Sequence, residues 1–326
     1  MLMDNHGRAI NYLRLAVTDR CNLRCFYCMP EKGIQYMPRK DLLSFEEMER
    51  LLIVFTEMGI SKLRITGGEP FLRKGIMEFL AKASRISKIE EINITTNGTF
   101  TSDKVDQLEK LGIKSINLSL DSLDNNRFFQ ITRRNEFYNV IKTLDQLLKS
   151  SIRVKINMVV MDGQNIEDLL PMVELTRENN VDVRFIEEMP FNGTAGQGNT
   201  RLWTADQILD HISPRYHLKR LVDPPNSTAI HYQPKGHVGK VGIIAAYSRT
   251  FCGSCNRIRL TPQGQLRTCL YSNQGINLRD LMRDGASDYE ISAQLLHAVG
   301  KKAKDGFESE KLRSLKVSES MATVGG

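Results

Sequence analysis

The sequence predicts an α/β fold, with a parallel sheet curled around a polar cavity and a smaller α+β region after it. Three observations carry this reading. From residue 13 to 189, strand-like and helix-like segments alternate. Each strand-like segment has one apolar face and one polar face by parity. Beyond 189 the alternation stops at the Gly-rich run 192–199, so the boundary falls near residue 190 and divides the chain into 1–190 and 191–326.

The expected strands are 13–19, 62–67, 91–97, 115–121, 153–160 and 182–188. In the first, Leu13, Leu15 and Val17 oppose Arg14, Ala16 and Thr18. In the second, Leu63 and Ile65 oppose Lys62, Arg64 and Thr66; in the third, Ile92 and Ile94 oppose Asn93 and Thr95. Ile116, Leu118 and Leu120 oppose Asn117, Ser119 and Asp121, and Val154, Ile156 and Met158 oppose Lys155 and Asn157. A filled barrel packs its interior with Val, Ile and Leu. A lining of Arg, Lys, Asn, Thr and Ser is costly to bury unless it holds polar ligands or water.

The helices between the strands follow the 3.6-residue period. Over 44–58 the apolar face is Phe45, Met48, Leu51, Leu52, Phe55 and Met58, with Ser44 and Glu47 as a capping box and Gly59 as the stop. A similar face runs through Phe137, Val140, Ile141, Leu144, Leu147 and Leu148, and a shorter one through Val105, Leu108 and Leu111. After the boundary, 204–212 reads as a short helix, while 216–222 and 241–246 read as β-type runs. Residues 286–326, Lys- and Ser-rich towards the end, read as a loosely held tail.

The 326 residues are 41% hydrophobic and 25% charged, an ordinary soluble composition. No apolar run approaches the ~18 residues of a membrane span, and residues 1–6 have no signal-peptide core. The expectation is a cytoplasmic protein with no membrane partner. The formal charge of +7 suits solubility or an anionic partner.

The six cysteines fall into two trios, 21/25/28 and 252/255/269, a grouping that two metal centres would require and disulfides would not. The first, Cys21-Asn22-Leu23-Arg24-Cys25-Phe26-Tyr27-Cys28, follows the first strand. Three thiolates can hold three irons of a cubane cluster and leave the fourth open to a small molecule. Zinc would need a fourth protein ligand, with His6 the closest in sequence. This spacing, with an aromatic before the last cysteine, resembles the cluster loop of the radical S-adenosylmethionine (SAM) enzymes. Gly67-Gly68-Glu69-Pro70 follows the second strand and resembles that family's motif for the SAM amino group. Its glycines leave backbone free to approach a ligand, and a nearby carboxylate favours an ammonium.

In the second trio, Cys252-Gly253-Ser254-Cys255 is followed by Asn256-Arg257-Ile258-Arg259, and a hairpin through 262–264 returns Cys269 towards the pair. Zinc with His231 or His237 is one reading; a second cluster with an open iron is the other. Arg257 and Arg259 point the same way from a strand, placed to hold phosphates by paired hydrogen bonds.

These motifs, with Thr95-Thr96-Asn97-Gly98, Ser119-Leu120-Asp121-Ser122 and Arg184-Phe185-Ile186-Glu187, fall in one order. The whole chain is similar to the GTP 3′,8-cyclase family of radical SAM enzymes. The resemblance implies an incomplete (β/α)6 TIM-type barrel and a C-terminal α+β region carrying a second iron–sulfur cluster. It implies two 4Fe–4S clusters, on Cys21, Cys25 and Cys28 and on Cys252, Cys255 and Cys269. Tyr27, Gly68, Ser119 and Met189 would contact SAM. Arg14, Arg64, Thr95, Lys155, Arg257, Ile258 and Arg259 would contact GTP, with Arg184 assisting. The terminal Gly325-Gly326 would reach the active site.

The implied activity is that of a lyase. Reductive cleavage of SAM gives methionine and a 5′-deoxyadenosyl radical, which takes hydrogen from C3′ of GTP. The sugar radical then attacks C8, giving (8S)-3′,8-cyclo-7,8-dihydroguanosine 5′-triphosphate, the first step towards the molybdenum cofactor (molybdopterin). Partners implied are a reductant protein and cyclic pyranopterin monophosphate synthase as the next enzyme, without nucleic acid; a homodimer is compatible with the resemblance. The chain has Glu188 where the family often has an apolar residue, and an arginine in Ile131-Thr132-Arg133-Arg134 where glycine is common. Two alternatives stand beside this reading. One is a peptide-modifying radical SAM enzyme, a group with more C-terminal cysteines; the other is a zinc-containing nucleic-acid module.

Overall fold

The computed structural model describes residues 1–189, 202–273, 275–313 and 320–325. Six strands lie side by side, parallel and in chain order: β1 (Tyr12–Ala16), β2 (Lys62–Thr66), β3 (Glu91–Thr96), β4 (Ser115–Ser119), β5 (Arg153–Val160) and β6 (Val181–Glu187). The later chain adds strands at both edges. On the β6 side come β9 (Lys240–Ile244), parallel, then the antiparallel β8 (Ile230–Pro234) and β7 (Leu218–Arg220). On the β1 side comes β10 (Arg257–Leu260), parallel, then the antiparallel β11 (Gln265–Arg267) and β12 (Ile276–Asn277). Among the described residues this makes one twelve-stranded sheet. Leu2–Met3 and Ala9–Ile10 form a separate short ladder.

The helices are α1 (Phe45–Glu57), α2 (Ile76–Ala83), α3 (Val105–Lys110), α4 (Asn125–Thr132), α5 (Phe137–Lys149) and α6 (Leu169–Glu174), then α7 (Ala205–Ile212), α8 (Leu278–Arg283), α9 (Asp288–Gly300), α10 (Gly306–Lys311) and α11 (Met321–Val324). Among the described residues no helix is long and apolar enough to cross a membrane. α1 starts at the expected capping box: Ser44 Oγ accepts from the Glu47 amide, and Glu47 accepts from the Ser44 amide at 2.7 Å. Its Met48, Leu51, Leu52 and Phe55 share one core with Leu13, Leu15 and Ile65 of the apolar strand faces.

The loosely held tail of the sequence reading is corrected. Ser287 and Glu290 make a capping box for α9, whose Ile291, Leu295 and Val299 are buried at four-residue spacing. α10 follows, and at the far end Ser320 caps α11, where Ala322 and Val324 are buried. A Lys- and Ser-rich average hides a sparse apolar stripe, because packing depends on position and not on composition.

Candidate functional site: two cysteine trios joined by the polar strand faces

The first trio leaves β1 in a short loop. The Cys28 and Met29 amides both donate to the Cys25 carbonyl at 2.9 Å, turning the chain back on itself. The end of α4 fixes the loop from outside, since the Arg24 and Phe26 amides donate to the Thr132 and Ile131 carbonyls at 2.9 and 3.1 Å. Cys21, Cys25 and Cys28 line a cavity of about 240 Å³ together with Tyr27, Gly68, Ser119 and Met189. Arg14, Thr95, Asn117, Asp121 and Asn157 complete its polar side, and Met321 and Ala322 of the chain end its other wall.

Each acid here has a physical cause for its shift. Burial pushes the Cys21 thiol up to about 11, with Glu69 adding to it, and the Cys28 thiol up to about 12, with Cys21 adding to it. Burial, then Asp121 and the other two cysteines, raise Cys25. Burial brings Asp121 up to about 6, although it accepts from Tyr27 Oη at 2.7 Å and from the Val159 amide. Three thiols that oppose one another's ionisation fit a shared cationic centre, whose charge would take the place of their protons. Among the described residues no three His, Cys, Asp or Glu side chains come close enough to share a single metal ion. A cubane spreads its thiolates over separate irons and does not ask them to converge on one.

In the Gly-Gly-Glu-Pro segment the two glycines line the cavity, while the glutamate turns away from it. The Glu69 carboxylate is fully buried and accepts from the Phe71 and Asn97 amides at 3.0 and 2.8 Å and from Thr96 Oγ1 at 2.9 Å. It pins the end of β3 and does not line the cavity. The segment's backbone is stitched to the cysteine loop, with the Gly68 and Glu69 amides donating to the Thr18 and Arg20 carbonyls at 2.8 Å. Asn97, in turn, reaches Cys21 Sγ with its amide at 3.7 Å and Asn22 Oδ1 at 3.0 Å.

A second, larger cavity of about 620 Å³ meets the first at Arg14 and Asn117. Its cations include Arg14, Lys62, Arg64, Lys155, Arg184 and Arg257. Strand register explains the density of charge. Arg14 stands opposite Arg64 of β2 on one side and Arg259 of β10 on the other. Like charges opposed on neighbouring strands cost on the order of 0.5 kcal/mol each. Burial, and then Arg259, hold the Arg14 guanidinium well below its usual value. Burial, and then Arg184 and Arg64, bring Lys155 down to about 7. Among the described residues the buried Asn117 Oδ1, Asn157 Oδ1 and Arg257 Nε have no hydrogen-bond partner. This wall suits a polyanion carrying polar groups.

Around Arg14 the sequence-predicted residues separate. Arg64 donates from Nε to Tyr12 Oη at 2.5 Å and from Nη1 to Thr95 Oγ1 at 3.3 Å. Arg184 is paired with Asp182 at 2.6 Å. Arg259 donates to the Gly325 carbonyl at 2.6 Å, tying the chain end into the site. Gly325 sits against the ends of β1 and β2, where a Cβ would lie 2.8 Å from that of Ala16. Ser320 Oγ meanwhile donates to the Cys28 carbonyl at 2.7 Å. Ile258 turns the other way from Arg257 and Arg259 and is fully buried in the core. Gly326 lies outside the described residues.

The second trio sits beside β10. Cys252 and Cys255 flank a turn closed by the Cys255 amide on the Cys252 carbonyl at 3.1 Å, and the β10–β11 hairpin brings Cys269 back as expected. Burial, then Cys269 and Cys255, raise the Cys252 thiol. Burial also pushes Cys255 up, but Lys302 and Arg257 outweigh it and bring that thiol down to about 6. The three histidines considered for zinc are engaged elsewhere. His231 lies between Asp223 and Asp182, His237 Nδ1 meets Thr176 Oγ1 at 2.8 Å, and His6 Nε2 meets the Lys302 carbonyl at 3.1 Å. Sequence reasoning did not single out Lys302, a remote lysine in no motif.

A parallel α/β sheet with a three-cysteine loop after its first strand defines a class, the radical SAM superfamily, whose family model matches residues 15–176. A second model, Molybdenum Cofactor Synthesis C, matches residues 181–307. The chain is 40% identical to GTP 3′,8-cyclase of Syntrophomonas wolfei, over 91% of this chain and 92% of that protein. It is 37% identical to GTP 3′,8-cyclase of Desulforamulus reducens over the full length of both. The chain belongs to the GTP 3′,8-cyclase family. It is also 40% identical to molybdenum cofactor biosynthesis protein 1 of Dictyostelium discoideum, over 93% of this chain but 49% of that protein. The chain thus spans about half the length of that relative. Among solved structures, Streptococcus suis SuiB bound to S-adenosylmethionine shares the fold, with a TM-score of 0.57 at 17% identity, over 88% of this chain and 68% of that one.

Proposed function

We propose that this chain is a radical SAM enzyme converting GTP to (8S)-3′,8-cyclo-7,8-dihydroguanosine 5′-triphosphate, the first step of molybdenum cofactor biosynthesis. The observation that carries this is the in-register row Arg259–Arg14–Arg64 facing a basic cavity that adjoins the three-cysteine cavity at Arg14 and Asn117. A row of like charges withdrawn from bulk water is stable when an anion lies on it, and a triphosphate supplies that anion. The family relationship supports the same substrate.

In this reading Cys21, Cys25 and Cys28 hold one 4Fe–4S cluster and Cys252, Cys255 and Cys269 a second. When bound, such clusters supply the reducing electron and open irons to which small molecules can bind. The chain's own residues do the positioning. Tyr27, Gly68, Ser119 and Met189 hold SAM. Arg14, Arg64, Lys155, Arg257 and Arg259 clamp the nucleotide, assisted by Thr95 and Arg184, with Ile258 contributing its backbone. The chain end closes the three-cysteine cavity through Met321 and Ala322, which keeps water from the reacting groups. Holding both reactants in one connected space is what lets a short-lived intermediate meet one carbon of one partner.

The sheet is read as an incomplete (β/α)6 barrel over 1–190, with the α+β region of 191–326 placing the second trio. A reductant protein, cyclic pyranopterin monophosphate synthase as the next enzyme, a homodimer and a cytoplasmic setting complete the proposal. The test is anaerobic incubation with SAM, reductant and each nucleoside triphosphate in turn. 5′-Deoxyadenosine and cyclised product are expected with GTP, and neither in Cys25→Ala. SAM cleavage without a cyclised nucleotide from any triphosphate would overturn the substrate.

A further inference from the structure

Residues 302–304 join the three chain segments that carry the second cysteine trio. Lys302 is 4% exposed. Its Nζ donates to the Arg257 carbonyl at 3.0 Å and to the Thr268 carbonyl. Those carbonyls lie two residues past Cys255 and one before Cys269. The same short segment reaches the third cysteine through Arg8. That guanidinium donates to the Ala303 and Lys304 carbonyls at 2.6 Å and to the Cys252 carbonyl at 3.1 Å.

The two buried cations differ in how their charge is met. Arg8 is paired with Asp4 at 2.6 Å. Lys302 has carbonyl partners but, among the described residues, no carboxylate partner. A buried ammonium met only by carbonyls is costly unless an anion stands close by. The acidic groups that flank those two carbonyls in the chain are the thiols of Cys255 and Cys269. The first trio has the opposite surroundings, because its buried charged neighbours include the carboxyl groups of Glu69 and Asp121.

We propose that Lys302 is the fixed counter-charge of the second cysteine site, holding its three segments together and setting a cluster bound there at a higher reduction potential than a neutral residue would. This rests on the reading that the second trio binds an iron–sulfur cluster. The physical ground is that net charge and hydrogen bonding around a cluster set its potential. A positive charge in a low-dielectric interior favours the form carrying the extra electron.

The experiment uses anaerobically reconstituted full-length chain. Iron and sulfide per chain are measured, and each cluster's potential is followed by electron paramagnetic resonance, with signals assigned through Cys25→Ser and Cys255→Ser. Lys302→Gln keeps a donor for the two carbonyls but removes the charge, whereas Lys302→Arg keeps the charge. The expected result is a lower second-site potential in Lys302→Gln, an unchanged first-site potential, and near wild-type behaviour in Lys302→Arg. If Lys302→Gln loses the second cluster and Lys302→Arg retains it, the charge is required and the proposal stands. An unchanged second-site potential in fully loaded Lys302→Gln would overturn it. So would equal shifts at both sites, or loss of the second cluster in both variants. If a variant with Cys252, Cys255 and Cys269 all changed to Ala carries the same iron and sulfide as wild type, the second trio holds no cluster, and the underlying reading falls together with the proposal.

Discussion

Lys155 stands on β5 with Arg184 and Arg64 as charged neighbours, and burial with their repulsion brings it down to about 7. An anion laid against it favours the ammonium and raises its pKa. Nucleotide binding therefore takes up a proton between the free and bound values. GTP affinity is expected to be greatest below about pH 7 and to fall as pH rises through the bound pKa. The dissociation constant measured across pH for wild type and Lys155→Met isolates this term from titration of the nucleotide itself, because only the difference between the two profiles counts. Of the pair Arg133-Arg134, Arg133 takes the glycine-favoured conformation, at φ 55° on the C-cap of α4. A left-handed residue costs roughly 1–2 kcal/mol, and here its side chain reaches the Arg24 carbonyl of the cysteine loop at 3.4 Å. Parity alone picked out Arg14, Arg64 and Lys155. It could not show that Arg259 stands opposite Arg14, because register is a property of two strands distant in sequence.

The elements are legible where periodicity is strong. β1 to β6, α1, α5 and the β10–β11 hairpin lie where the pattern puts them, to within a few residues at each end. α9 was missed because Ile291, Leu295 and Val299 are diluted by polar neighbours. The Gly67-Gly68 turn has a further reason that no local pattern records. It is the close approach of two chain segments, since a Cβ on Gly68 would lie 2.3 Å from the Arg20 carbonyl oxygen. Gly68→Ala is expected to push the cysteine loop off the end of β2, with a loss of about 2 kcal/mol. Thermal unfolding should show a lowered midpoint, and SAM binding should weaken; an unchanged midpoint would count against this close packing.

At the scale of the molecule, the C-terminal segment extends both edges of the sheet laid down by the N-terminal one. β10 against β1 places Arg257 beside Tyr12 and Arg259 beside Arg14, so the second trio's arginines join the polar faces of the strands. Arg257 lines the basic cavity and does not line the three-cysteine cavity. Arg257→Ala should therefore weaken GTP binding on the order of tenfold or more, the worth of a charged hydrogen bond, while SAM binding stays near wild type. Titration of both ligands checks this, and equal loss of both would make the arginine structural. Arg259 is a poorer test, because its bond to Gly325 couples it to the wall of the other cavity.

By itself the sequence determined the α/β class, the polar and apolar strand faces, the two cysteine trios and the basic residues around them. These follow from local rules of period, parity and spacing acting within one segment. The tertiary structure alone decided that Arg259, Arg14 and Arg64 form one row, that Glu69 braces β3, and that the chain end lies on the first cysteine loop. It alone gave the second trio Lys302. Those are contacts between segments tens to hundreds of residues apart, set by how strands register and edges pair, and no local pattern records them.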